Sequence, residues 1–189
     1  MKLISMLRSA LAAVAVAAAL PASAAFYVDD TTDGPTYQRA VEDFSGLSGV
    51  GTAVSYDVFS FSVSADGLYS VRSFAQGLFQ DQPWDQFLFL YSGSFDPTQA
   101  LSNGVIANDD FNSTIGKSGF DVALAVNTAY YLVTTSFYNE ESGTFLNIIT
   151  GPGAILPAIP EPGTYAMLAI GLLAVAFAVR RRSSDSRDI

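Results

Sequence analysis

Asn108-Asp109-Asp110 sets two adjacent carboxylates and an amide in a short polar stretch that follows an apolar run. Neighbouring carboxylates repel unless a cation sits between them, and calcium collects six to eight oxygens from carboxylates and carbonyls at loop positions. Asp85 opens a second apolar run and could converge on that loop in a β-sandwich. The candidate calcium set is therefore Asp85, Asn108, Asp109 and Asp110. The bland reading is a solvated turn in which Asn108 and Asp109 hydrogen-bond their own backbone. The two are separable, because three acidic groups gathered without a cation raise their own carboxyl pKa values.

Little other chemistry is open to this chain. It has no His and no Cys. That removes Ser-His-Asp and Cys-His catalysis, histidine-ligated zinc, thiol redox chemistry and haem held by His or Cys. Asp29, Asp33 and Gly34 imitate the start of an EF-hand loop, but its twelfth position is Ala40 where a bidentate Glu is needed. A disordered acidic segment is expected there instead. Gly116-Lys117-Ser118 imitates the end of a phosphate-binding loop, but Phe111 stands where the leading glycine belongs. Glu42-Asp43 and Glu140-Glu141 are sequence neighbours, which on a strand point to opposite faces. They give no support to a two-carboxylate hydrolase, which needs its groups across a cleft. Phe79, Trp84, Tyr91 and Phe95 flank one segment and could stack on sugar rings if exposed. Aromatics in a disulfide-free sandwich more often belong to the core.

Charge narrows the partners. Residues 25–159 hold three basic residues (Arg39, Arg72 and Lys117) against fifteen acidic ones, a net charge of −12. Such a surface repels nucleic-acid phosphates and anionic lipid headgroups, and nucleic-acid binding is excluded. The same stretch suits one domain in length. Without disulfides its stability must come from an apolar core, which its 13 Phe and 8 Tyr can build.

The elements that must position these groups read as strands. Phe59, Phe61 and Val63 alternate with serines, and Asp66-Gly67 turns the chain into Leu68–Phe74, which predicts a hairpin over 57–74. Phe87–Tyr91 is apolar on both faces, as in a central strand. Val105–Ala107 is a short strand; Phe120–Leu124 alternates, Asn127-Thr128 turns and Tyr130–Phe137 returns, before Phe145–Thr150 closes the set. No stretch sustains helical periodicity. The expectation is an all-β fold, an antiparallel β-sandwich of jelly-roll type. Phe59, Phe61, Leu88, Leu90, Val122, Leu124, Leu132 and Val133 are expected to share one inter-sheet core.

Trp84-Asp85-Gln86-Phe87-Leu88-Phe89-Leu90, Ala107-Asn108-Asp109-Asp110, Phe120–Leu124 and Tyr130-Tyr131-Leu132-Val133 together resemble the bacterial pre-peptidase C-terminal domain, a small jelly-roll sandwich at the ends of secreted proteases. The resemblance spans roughly residues 57–150. It implies calcium in loops of the Asn108–Asp110 kind, since some members bind it there. This chain has Asn127-Thr128-Ala129 where that family usually carries Gly before its paired aromatics.

The two ends carry an address. Lys2 and Arg8, an apolar core Leu11–Leu20 and Pro21-Ala22-Ser23-Ala24 read as a signal peptide over residues 1–24, cut by signal peptidase after Ala24. At the other end Pro160-Glu161-Pro162 precedes an uncharged apolar run and then Arg180-Arg181-Arg182. The segment 164–179 would rise about 24 Å as a helix, slightly short of the ~30 Å hydrocarbon layer, and the arginines should stay cytoplasmic. Pro-Glu-Pro, one membrane helix and a terminal arginine cluster, in that order, resemble the PEP-CTERM sorting signal of exported bacterial proteins. The resemblance implies that exosortase, a membrane transpeptidase-like enzyme, processes the tail, and that exopolysaccharide production accompanies it. A plain C-terminal anchor is the alternative. The expected layout is a signal peptide (1–24), a sandwich domain (25–153), a Pro-rich linker (154–162), a membrane helix with its arginines (163–182) and a polar cytoplasmic stub (183–189). The expected function is that of a non-enzymatic surface or extracellular-matrix protein linked to exopolysaccharide or biofilm. The alternatives are a carbohydrate-binding module and, behind it, a carboxylate-dependent hydrolase.

Overall fold

Alternation assigns the side chains of each strand to a face. In β4 (Gly67–Phe74) Tyr69, Val71 and Ser73 are buried, while Leu68, Ser70 and Arg72 point the other way. In β5 (Gln86–Ser92) every residue but the last is buried, so this strand lies at the centre of a covered sheet. The computed structural model describes residues 23–75 and 84–158. The remaining strands are β1 (Ser23–Asp30), β2 (Thr36–Tyr37), β3 (Val54–Val63), β6 (Gly104–Asn108), β7 (Lys117–Leu124), β8 (Tyr130–Ser136), β9 (Thr144–Gly151) and β10 (Ile155–Pro157).

They form two antiparallel sheets, one of order β1-β9-β4-β7 and one of order β10-β3-β8-β5-β6, with β2 also pairing β3. Four ladders nest inside one another: β1 with β9, β3 with β8, β4 with β7 and β5 with β6. That is one long hairpin rolled over on itself, and rolling brings β9 beside β4 and β8 beside β5. The expected jelly-roll sandwich is the observed fold.

The rolled topology corrects two local expectations. Residues 57–74 do not form a hairpin, because β3 and β4 belong to opposite sheets. Phe61 pairs with Tyr130 and Tyr69 with Val122, and the apolar sides of the two strands meet across the core. Asp66-Gly67 and Asn127-Thr128 both carry the chain from one sheet to the other. Asp66 Oδ1 accepts from the Val126 N–H at 2.6 Å, so the two crossings brace each other, and Asn127 takes the left-handed conformation at φ 59°.

The core is also divided. Phe61, Leu88, Leu90, Val122, Leu124 and Leu132 share the inter-sheet cluster, with Phe59 packed against it. Val133 does not: as the neighbour of Leu132 it points out of the other face. There it joins Phe87, Phe89 and Tyr91 beneath Tyr37, Ala40, Phe44 and Phe95. The second face of this sheet is therefore sealed by the segment around β2. Trp84 is buried at the sandwich edge with Ala75 and Phe145. These aromatics are core, and Phe79 lies outside the described residues.

Two boundaries move as well. Asp29 and Asp30 are not disordered but pair with Phe145 and Thr144 at the end of β1. The expected linker over 154–162 begins as β10, whose Ile155 enters the core while Pro157 occupies an edge where a missing N–H costs no ladder bond. Among the described residues no helix is long and apolar enough to cross a membrane. Residues 1–22, Pro160-Glu161-Pro162, the expected membrane helix and Arg180–Arg182 lie outside the described residues.

Candidate metal centre

Ladder register explains why distant carboxylates meet. Leu88 of β5 faces Asn108 of β6, so Asp85, just before β5, sits beside the residues that follow β6. Asp85, Asp109 and Asp110 each offer a carboxylate oxygen within 4.8 Å of the others. All three residues are half-buried, and in each Oδ1 is closed off without a hydrogen-bond partner. The Phe137 N–H donates to the Asp85 carbonyl at 2.7 Å, which ties the β8–β9 loop to this corner. That loop brings Glu141, whose Oε2 is also buried and partnerless.

The electrostatics follow from crowding. Burial, then the charges of Asp110 and Glu141, push the Asp85 carboxyl up to about 6, with Arg39 opposing. Burial, then Asp85 and Asp110, push Asp109 up to about 7, again against Arg39. Both carboxyls are thus held above the ordinary carboxylate range by burial and by one another's charge.

Asn108, the fourth expected member of the set, is hydrogen-bonded through its side chain. Its Oδ1 accepts from the Gly119 N–H at 2.9 Å and its amide donates to Glu42 at 3.2 Å, so both ends are engaged. It braces the loop across to β7. Ser118 Oγ donates to the Asp109 carbonyl at 2.6 Å and the Phe111 N–H to the Lys117 carbonyl at 2.7 Å, which complete that brace.

Arg39 is the residue that motif reading missed. It is 2% exposed, and its guanidinium lies 4.5 Å from the Phe87 ring centre and 4.8 Å from that of Phe137. Nε and Nη2 donate to the Phe137 carbonyl and Nη1 to the Ala40 carbonyl, so its hydrogen bonds go to backbone and not to the carboxylates. Burial lowers its pKa, while Asp109 and Asp85 act to raise it. The one sequence signal was its rarity, as one of three basic residues in so acidic a domain. Glu141 was visible only as half of an uninformative pair.

An all-oxygen donor set of this kind fits a hard cation and not a soft transition metal. Three carboxylates with partnerless buried oxygens, and Glu141 beside them, suit calcium. Its remaining positions would fall to second carboxylate oxygens, carbonyls and water.

No curated protein matches the chain. A solved structure, described as a family 35 carbohydrate binding module from an environmental isolate, is similar at 15% identity and a TM-score of 0.37, over 71% of this chain and 98% of that one. Residues 158–182 match the PEP-CTERM protein-sorting motif. That match takes in Pro160-Glu161-Pro162 and Arg180–Arg182, and it begins at the residue directly after the last described strand. The chain thus ends its sandwich in the sorting signal of exported proteins that pass through the membrane and are processed by exosortase.

Proposed function

We propose that the exported domain is a non-enzymatic surface or extracellular-matrix module that takes a calcium ion at Asp85, Asp109 and Asp110. The carrying observation is the set of buried, partnerless oxygens on three carboxylates whose ligand atoms lie within 4.8 Å. A bound cation would satisfy those oxygens and cancel the repulsion that pushes Asp85 and Asp109 toward neutrality. Calcium here acts as a staple that joins β5, β6 and, through Glu141, the β8–β9 loop. In a domain without disulfides such a staple suits life outside the cell.

A structural role, and not sugar stacking, is supported by the fate of the aromatic row. Phe87, Phe89 and Tyr91 would make a stacking platform on an open sheet, but they are buried under Tyr37, Phe44 and Phe95. The link to exopolysaccharide or biofilm rests on the sorting signal alone. Thermal melts with millimolar calcium and with chelator test the metal. A melting temperature that rises with calcium and returns with chelator is expected by mass action. An unchanged melting temperature would leave an acidic loop with protonated carboxyls.

A further inference from the structure

The outward face of the four-stranded sheet is unlike the rest of the surface. Register aligns Phe26, Ile148, Arg72 and Gly119 in one cross-strand row, and Val28, Leu146, Phe74 and Lys117 in the next. Phe26 is 69% exposed and Val28 52%, and Leu146, Ile148 and Phe74 are half-buried beside them. Of the three basic residues of the domain, Arg39 is buried and the other two, Arg72 and Lys117, are both in these rows. The acidic groups at its corners are engaged, Asp121 with Arg72 at 2.8 Å and Asp30 with Thr144 at 2.9 Å. This face is near neutral and apolar in a domain whose net charge is −12.

The exit of the chain lies along the same edge. Ala158 donates its N–H to Ser60 at 2.8 Å, and Tyr27 of β1 stacks on Phe59, the residue before Ser60, at 4.5 Å. The tail thus leaves beside β1, the strand that carries Phe26 and Val28. From Ala158 to Gly163, where the apolar run begins, is five residues, a reach of at most ~17 Å when fully extended. In an anchored precursor that reach would keep this edge near the bilayer. At that edge Asp29 and Asp57 are both hydrogen-bonded by the Tyr27 hydroxyl, and the outward face beside it brings apolar side chains and Lys117 to the headgroups.

We propose that the Phe26–Val28 face rests on the bilayer in which the unprocessed precursor is anchored, with Phe26, Val28 and Ile148 at the acyl boundary and Lys117 at lipid phosphate. The proposal rests on the reading of residues 158–182 as a membrane-borne sorting signal. Removal of the tail leaves a patch too small to hold the domain alone, so processing frees it.

The chain has no cysteine, so single substitutions carry clean spin labels. Phe26→Cys and Val28→Cys would be compared with Val50→Cys, which is 46% exposed in the segment covering the opposite side of the sandwich. The chain from Ala25 to Ile189, as it stands once the signal peptide is removed, would be reconstituted into phosphatidylethanolamine–phosphatidylglycerol vesicles and floated to confirm anchoring. Labels at 26 and 28 should lose collisions with a water-soluble nickel chelate and keep those with oxygen, while the label at 50 keeps both. Nickel access at 26 and 28 equal to that at 50, in chains that float, overturns the proposal. Shielding that vanishes at one chain per vesicle assigns the face to a second copy and overturns it too. A chain that fails to float refutes the anchor itself, and the proposal with it.

Discussion

The guanidinium of Arg39 lies 4.5 Å over the Phe87 ring and hydrogen-bonds the Phe137 carbonyl at 2.8 Å, within electrostatic reach of Asp109 and Asp85. It supports the corner twice, by satisfying a buried carbonyl and by partly offsetting the charge of Asp109 and Asp85. Arg39→Met keeps the stem and removes both effects. Unfolding in chelator should show a loss of about 3 kcal/mol, the scale for removing a charged partner from a buried network. The guanidinium also repels an incoming cation, so calcium should bind the variant more tightly. Calorimetric titration reads that opposite change, which a merely destabilised fold would not produce.

The raised carboxyls set a pH dependence. Asp85 and Asp109 hold protons up to about 6 and about 7 in the folded state, above their ordinary value of 3.8. The folded protein therefore binds more protons than the unfolded chain between pH 4 and 7. Stability from this source is full below pH 4 and is lost as pH rises through 6 and 7. In chelator the melting temperature should be higher at pH 5 than at pH 8. With saturating calcium that decline should disappear, because the metal replaces the protons. A chelator melt that is flat across this range would remove the crowding argument.

Much of the strand content was legible, and the pairing was not. Phe59-Ser60-Phe61-Ser62-Val63 announces a half-buried strand because its period is two. Nothing local says that Asp66-Gly67 crosses between sheets, since a hairpin and a crossing use the same turn residues. The choice is made by Phe61 and Tyr69 meeting across the core and by ladders to β8 and β7, where Phe61 pairs with Tyr130 and Tyr69 with Val122, both far off in sequence. Asp109 and Asp110 could be picked out as adjacent carboxylates and Asp85 as the residue that opens a strand, and the structure brings the three within 4.8 Å. Asn108 is held by Gly119 and Glu42, contacts that depend on the rolled topology and leave no local signal. Arg39 lies in a segment of little regular pattern, and its burial follows only from the covering of the second sheet face.

Asp109→Asn separates the two consequences of the acidic corner. It removes the carboxyl with the highest raised value while keeping size and one carbonyl oxygen. In chelator at pH 8 the variant should melt above the parent, since a repelling charge is gone. Its shift on adding calcium should be lost or much reduced, since a charged ligand is gone. A parent-like calcium shift would move the metal away from this corner.

Processing should leave the sandwich whole. The last described backbone bond runs from the Ala158 N–H to Ser60, two residues before Pro160-Glu161-Pro162. Cleavage at that motif removes no ladder bond, and β10 keeps Ile155 in the core. At the other end, a cut after Ala24 trims the two residues of β1 that pair with Gly151 and Thr150 and keeps the pairs from Ala25 to Asp30. Phe26 and Val28, the exposed apolar positions of that strand, remain. Mass spectrometry of cell-surface or secreted material should therefore find a mature chain that begins near Ala25 and ends close to Pro160–Pro162, with an unchanged melting temperature. Recovery of intact peptides through Ser183 from that material would show that the tail is retained and would replace the processed protein with a permanently anchored one.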